Sequence, residues 1–291
     1  MRPTQSSITA EHNAVLRTYE SMRPERARIC SDPYAACFVP DRFFPAAENI
    51  DPIGETISIW ESHFPGVCNA ILARTRFIDD CLEAAIRAGI RQLVILGAGY
   101  DTRALRFEAL KDGVAVFELD HPITQRAKLE RIQKYVNADL SHVRYIPIDF
   151  SKDSLAAKLL AHGYDGCLTT LFIWEGVTYY LSASAVDDTL LFIRRHTGVK
   201  SSVVFDFFPP SVADGTSRLA EARALRDGLK RIGEEIRFGI APDRIVEFMT
   251  LRGFIVLQNV SSDDVKARYL RGTHKNRPLS EMFLFVQAGV G

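Results

Sequence analysis

The chain has 291 residues, 36 Lys plus Arg against 36 Asp plus Glu, and 47% hydrophobic residues. That length can bury a substantial core, and hydrophobic and charged fractions near the globular average exclude disordered, collagen-like and coiled-coil chains. A formal net charge of zero argues against a long-range basic field for nucleic acid, and no apolar run approaches the roughly 20 residues of a membrane helix.

The opening stretch, Met1 to Asn13, is polar and lacks the apolar segment of a secretory signal. Five scattered cysteines (Cys30, Cys37, Cys68, Cys81 and Cys167) form no Cys-x-x-Cys pair. That usage suits a reducing compartment and neither a disulfide framework nor a zinc site, so the expectation is a cytoplasmic α/β protein without a metal.

Within residues 1–68 a helix is predicted around Glu11 to Tyr19, and a second opens at Ser31-Asp32-Pro33, where Asp or Ser caps and Pro occupies the first turn. Asn69 to Ala88 places Ile71, Ile78, Leu82, Ala85 and Ile86 at helical spacing, with Gly89 as the stop. Apolar runs follow at Gln92–Leu96, Val114–Leu119, Val143–Ile148, Cys167–Trp174, Ser202–Phe208, Phe254–Val260 and Met282–Val286. These seven strand candidates, mostly separated by helix-length spacers, imply βαβ units and a mainly parallel sheet covered on both faces. Ser261 to Glu281 is polar and carries no convincing long helix, which fits an antiparallel last strand. After the fifth strand candidate, residues 209–242 begin with Pro209-Pro210 and hold a charged amphipathic helix at about Ser217 to Arg237. This insertion and residues 1–68 either cover the ligand edge of the sheet or decorate its packing. The expected division is a helical lid at 1–68 and a ligand-binding domain at 69–291.

Ligands of an open α/β sheet bind beyond the carboxyl ends of its strands. Beyond the first strand lies Gly97-Ala98-Gly99, beyond the second Glu118-Leu119-Asp120, beyond the third Asp149-Phe150, and beyond the fourth Trp174-Glu175-Gly176. Gly97 and Gly99 permit a tight turn and close ligand approach. Position 102 is Thr, so the dinucleotide fingerprint is incomplete, and no phosphate-binding Gly-x-x-x-x-Gly-Lys-Ser/Thr loop exists. Asp120 is the preferred acceptor for the ribose hydroxyls of an adenosine-type ligand, with Glu118 its competitor on the same strand face. Asp149 and Phe150 either border an adenine or open a helix whose early residues include Ser151 and Asp153. Arg74 falls on the edge of the apolar stripe of its helix while Arg76 points outward. Arg74 either grips a ligand carboxylate through a two-pronged hydrogen bond or snorkels.

Leu96-Gly97-Ala98-Gly99-Tyr100-Asp101-Thr102-Arg103, Phe117-Glu118-Leu119-Asp120-His121-Pro122 and Trp174-Glu175-Gly176-Val177 together resemble the leucine carboxyl methyltransferase family. They are similar in particular to its bacterial small-molecule O-methyltransferases, some tied to polyketide and other secondary metabolism. The resemblance runs from about Asp32-Pro33-Tyr34-Ala35 to at least Phe208. It implies a class I Rossmann-like methyltransferase fold and S-adenosylmethionine as cofactor, with S-adenosylhomocysteine as product. It also implies Arg74 on the methionyl carboxylate, Gly97 and Gly99 against the methionine part, and Asp120 on the ribose. Asp149 and Phe150 would border the adenine, and Glu175 the methionyl amino group. Part of the family adds an N-terminal lysine; residues 1–68 hold none, so Arg17, Arg23 or Arg28 would substitute.

The expected reaction is methyl transfer to an oxygen of a small acid or hydroxylated metabolite. Tyr179 and Tyr180, following Glu175, are candidates for positioning the acceptor or are ordinary half-buried aromatics. Methylation of a protein C-terminus is the alternative by kinship. The incomplete glycine fingerprint and the lack of an evident Ser-Tyr-Lys set speak against a nicotinamide-dependent oxidoreductase. A catalytically idle binder is the alternative of another class, with the basic segment Lys266 to Arg277 as its partner surface or as a plain loop before the last strand.

Overall fold

A computed structural model describes residues 7–43, 51–150 and 152–291. The expected lid therefore lies partly outside the described residues, at 1–6 and 44–50, and so does Ser151. Seven strands form one sheet in the order β3-β2-β1-β4-β5-β7-β6. They are β1 (Gln92–Leu96), β2 (Ala115–Asp120), β3 (Val143–Pro147), β4 (Thr170–Trp174), β5 (Ser202–Phe207), β6 (Phe254–Val260) and β7 (Leu284–Val290). Every strand candidate of the sequence is a strand, within three or four residues at its ends. β1 to β5 pair in parallel, and β7 inserts between β5 and β6 antiparallel to both. The seven-stranded, mainly parallel sheet with a reversed last strand is thus as the alternation implied.

Both faces are covered, which is why β1, β4 and β5 are buried along their whole length. One face packs Leu93, Ile95, Leu171, Ile173 and Phe285 against the long preceding helix, including Phe77, Ile78 and Leu82. The other packs Val94, Leu96, Phe117, Phe172, Trp174 and Phe205 against the helices that follow β3, β4 and the insertion. Among the described residues the helices are α1 (Ile8–Met22), α2 (Pro52–His63), α3 (Val67–Arg87), α4 (Arg103–Arg106), α5 (Pro122–Tyr135) and α6 (Leu155–Ala161). They continue with α7 (Ala183–Arg195), α8 (Pro210–Asp214), α9 (Ala220–Ile232), α10 (Ile245–Thr250) and α11 (Ser262–Tyr269). None is long and apolar enough to cross a membrane.

Four local readings need correction. No α-helix opens at Ser31: residues 35–38 make a single 3-10 turn, because Asp32 is recruited inward by Arg17, Thr102 and the Tyr34 N–H. The insertion helix is shorter than its charged pattern; α9 stops where Gly233 adopts a left-handed conformation. Ser261 to Glu281 does contain a helix, α11, opened by a capping box in which Ser261 and Asp264 satisfy each other's backbone N–H. The helix after β3 starts only at Leu155, capped by Ser154, so Asp149 and Asp153 lie in the turn before it.

Arg277 ends the basic segment and is used inside the molecule. Its two terminal nitrogens bond both oxygens of Glu20 on α1 at 2.7 Å, where the Glu20 side chain is fully buried. The same residue donates to Asn69 on α3 at 2.8 Å. This fork fastens α1 to α3 and to the segment that precedes β7.

Candidate active site

Beyond the carboxyl ends of β1 to β4 lies a cleft of about 410 Å³, within the range of about 300–1,000 Å³ that takes small-molecule ligands. It gathers Gly97, Gly99, Asp120, Asp149, Phe150 and Glu175, one strand end after another, and Arg74 from α3. The roof is foreign to the sheet. α1 supplies Ala10, Asn13 and Arg17, and the irregular segment after α9 supplies Gly233, Glu234, Glu235 and Arg237. Thr9 donates to Glu234 at 2.6 Å and Ser7 at 3.1 Å, so the two added segments meet over the cleft.

At the first turn, Gly97 has φ +69, and a Cβ there would sit 2.4 Å from Val177 Cγ2. Gly99 donates its N–H to Asp120 Oδ2, joining the ends of β1 and β2. A second N–H, from His121, reaches Asp120 Oδ1 at 2.5 Å. Each carboxylate oxygen keeps further lone pairs, so Asp120 can still accept from two hydroxyls. Burial pushes its carboxyl up from the ordinary Asp value, and those two N–H groups partly offset the rise. Glu118 does not reach the cleft. It is buried against Lys128 of α5, and burial outweighs the lysine to lift its carboxyl to about 7. Of the two acids only Asp120 lines the cleft.

Position 102 is Thr for a visible reason. α4 is a single turn, so no long helix has to pack closely over β1, and Thr102 instead donates to Asp32 at 2.7 Å. Arg103 and Arg106 follow it into a buried ionic chain. Arg106 makes a two-pronged pair with Asp79, and Arg103 bonds Asp79 at 2.8 Å, Asp101, and Glu175 at 2.7 Å. Arg74 completes the chain, with Nε on Glu175 at 3.0 Å and Nη1 on Asp206 at 2.9 Å. Arg74 is therefore no snorkelling side chain: it is 2% exposed, whereas Arg76 is open to solvent and paired with Asp80. Glu175 lies between the guanidiniums. Burial alone would raise its carboxyl, but Arg103, Arg74 and Arg17 outweigh it and hold it well below the usual carboxylate range.

Of the three N-terminal arginines only Arg17 lines the cleft, donating to Asp32 at 2.7 Å and to the Tyr100 carbonyl at 2.6 Å. Arg28 caps the Arg23 carbonyl instead. The two tyrosines part ways as well. Tyr180 lines the cleft; Tyr179 is 5% exposed, stacked on Phe208 and bonded by Arg74 Nη1 at 3.3 Å, and it is not a lining residue. Burial raises both phenols above their ordinary value, so each is a hydroxyl and not a phenolate at neutral pH. Trp174 is fully buried and packs on Phe205.

The family model described as leucine carboxyl methyltransferase matches residues 10–194. The chain belongs to that family. A Bacillus subtilis (strain 168) protein, "Putative S-adenosyl-L-methionine-dependent methyltransferase YktD", is 26% identical over 99% of each chain. A Mycolicibacterium gilvum (strain PYR-GCK) protein, "Putative S-adenosyl-L-methionine-dependent methyltransferase", is 35% identical, over 58% of this chain and 53% of its own. Among solved structures, a DUF574 family protein from Streptomyces avermitilis superposes with a TM-score of 0.59 at 14% identity, covering 86% of this chain and 95% of that one. The likeness to that solved structure is one of fold: a seven-stranded, mainly parallel sheet whose last strand runs antiparallel.

Proposed function

We propose that the protein transfers the methyl group of S-adenosylmethionine to an oxygen of a small metabolite. Family membership and fold support methyltransferase activity. The single observation that carries the cofactor reading is the convergence of Gly97, Gly99, Asp120, Asp149, Phe150 and Glu175 on one cleft beside Arg74. These residues fit the group: an ionised glutamate for an ammonium, arginines for a carboxylate, an accepting aspartate for vicinal hydroxyls, and an aromatic edge for a purine.

When bound, the cofactor supplies an electrophilic methyl carbon that needs little further activation. The chain's own task is alignment and exclusion of water. Arg74 and Arg17 would orient the carboxylate, Glu175 the amino group, Asp120 the ribose, and Asp149 with Phe150 the adenine. Tyr180 lines the cleft beside Thr9 and Glu234, where it would bond the acceptor. Tyr179 would act through Arg74 and not on the acceptor itself. A carboxylate acceptor needs no base at neutral pH, and no phenolate is available to serve an alcohol. The bridge from Thr9 to Glu234 joins the two added segments across the cleft lining, which favours a small acceptor over a protein C-terminus.

Calorimetric titration with S-adenosylmethionine, S-adenosylhomocysteine and NAD tests the cofactor reading; binding of the first two and not the third is expected. NAD binding alone would defeat it. Turnover of methyl-labelled cofactor across small acids, phenols and alcohols then tests the acceptor class, and label found only on a protein C-terminus would overturn the small-metabolite reading.

A further inference from the structure

We infer that Asp206 is a positioning residue for the zwitterionic end of the cofactor, because one carboxylate fixes both Arg74 and the Gly176 N–H at the floor of the cleft. The inference rests on the cofactor reading above. Asp206 lies on β5, fully buried, and does not itself line the cleft. Its Oδ2 accepts from Arg74 Nη1 at 2.9 Å and its Oδ1 from the Gly176 N–H at 2.6 Å. Arg74 and Gly176 both line the cleft, and so does Glu175, which accepts from Arg74 Nε.

This arrangement divides the guanidinium. Nε is spent on Glu175 and Nη1 on Asp206 and the Tyr179 hydroxyl. Nη2 makes none of these bonds and is the donor left to a ligand carboxylate. Without Asp206, Arg74 would keep one acidic partner, Glu175, which would draw the whole fork onto itself. The ligand's ammonium would then compete with the fork for the same carboxylate. Asp206 therefore keeps Glu175 available by sharing the charge of Arg74, a task that preorganised sites assign to supporting residues. The Gly176 bond adds a second restraint, because it sets the turn that presents Glu175. Thr178 closes the same turn by donating to the Asp206 carbonyl at 2.6 Å.

The test separates positioning from stability by using two ligands. S-adenosylhomocysteine carries the amino-acid end; methylthioadenosine carries the same adenosine and sulfur without it. In Asp206→Asn the Kd for S-adenosylhomocysteine should rise about 10-fold or more, since a charge-assisted bond is lost. The Kd for methylthioadenosine should stay within about twofold. Asp206→Glu keeps the charge but displaces the carboxylate by one methylene, and the same ligand-selective loss is expected. Equal loss for both ligands, or no loss for either, would overturn the assignment. Failure of both variants to fold by circular dichroism would also overturn it, by giving Asp206 to the sheet's stability instead. If the unaltered protein binds neither ligand, the cofactor reading itself fails, and that outcome is seen before any variant is made.

Discussion

The floor and the roof of the cleft are built by different physics. The floor consists of strand ends whose register is fixed by backbone ladders, so Gly97, Asp120 and Glu175 are placed by neighbours in a parallel sheet. The roof is held by side chains that are far apart in sequence: Thr9 to Glu234 spans 225 residues, and Glu20 to Arg277 spans 257. A ladder distributes its strength over many residues, whereas each roof contact hangs on one side chain that one substitution removes. The floor should therefore tolerate loss of a side chain without moving, and the roof should not.

The largest expected effect breaks the roof at its far anchor. Arg277→Ala leaves the fully buried Glu20 carboxylate with only the Ile29 N–H and the longer contact to Arg23; burial raises this carboxyl, and Arg277 is the main group that now holds it below its ordinary value. Loss of one partner of a buried pair costs about 3–5 kcal/mol, and the lower end applies because Arg277 keeps some exposure. Urea unfolding should show that loss; a change below about 1 kcal/mol would mean the fork is ornamental. On the floor, Gly97→Ala should cost about 1–3 kcal/mol, from the positive φ and from the collision with Val177. Adding Val177→Ala should recover the collision but not the backbone strain, so the double variant should remain less stable than Val177→Ala alone.

The same division explains what was legible in the amino-acid sequence. Strands and their ends were readable because a buried parallel strand is a short apolar run, and a residue that faces a ligand stands just past it. Gly97-Ala98-Gly99, Asp120 and Glu175 all follow that local rule, and the structure brings them to one cleft. Arg74 was readable as an edge residue of its helix, though spacing alone left snorkelling open. Asp206 was hidden inside Val-Val-Phe-Asp-Phe, where an acid at a buried position marks a partner without naming it. Arg103 stood in the quoted motif, yet its ties to Asp79 and Glu175 leave no periodicity to detect. Two local signals were missed: the capping box of α11, where Ser261 is followed three residues later by an acid, and Asp51-Pro52, which caps and opens α2.

Asp120 sharpens the comparison through pH. Burial lifts its carboxyl above the ordinary value of about 3.9. As pH rises through the window between those values, the unfolded chain releases this proton first, so folding stability falls there. Cofactor affinity runs the other way, because hydroxyls donate to the carboxylate: it should decline as pH falls through the same window. Asp120→Asn should cost about tenfold in affinity at neutral pH and abolish that acidic limb. If the limb persists in the variant, another group near the ribose is titrating.

The smallest effect is expected at the point where the two roof segments touch. Glu234→Ala removes the acceptor for Thr9 and Ser7 at the entrance, with the floor untouched. Glu234 faces Tyr180, and burial and this carboxylate both raise that phenol, so the substitution also brings Tyr180 closer to its ordinary value. Both bonds are partly exposed, which limits the loss to about 1 kcal/mol, or about fivefold in rate. Stopped-flow dissociation of S-adenosylhomocysteine should be faster by that factor, with the association rate little changed. A slower association at constant dissociation would place the contact in guiding the ligand inward. That result would turn the roof from a closure formed over the bound cofactor into a funnel that precedes it.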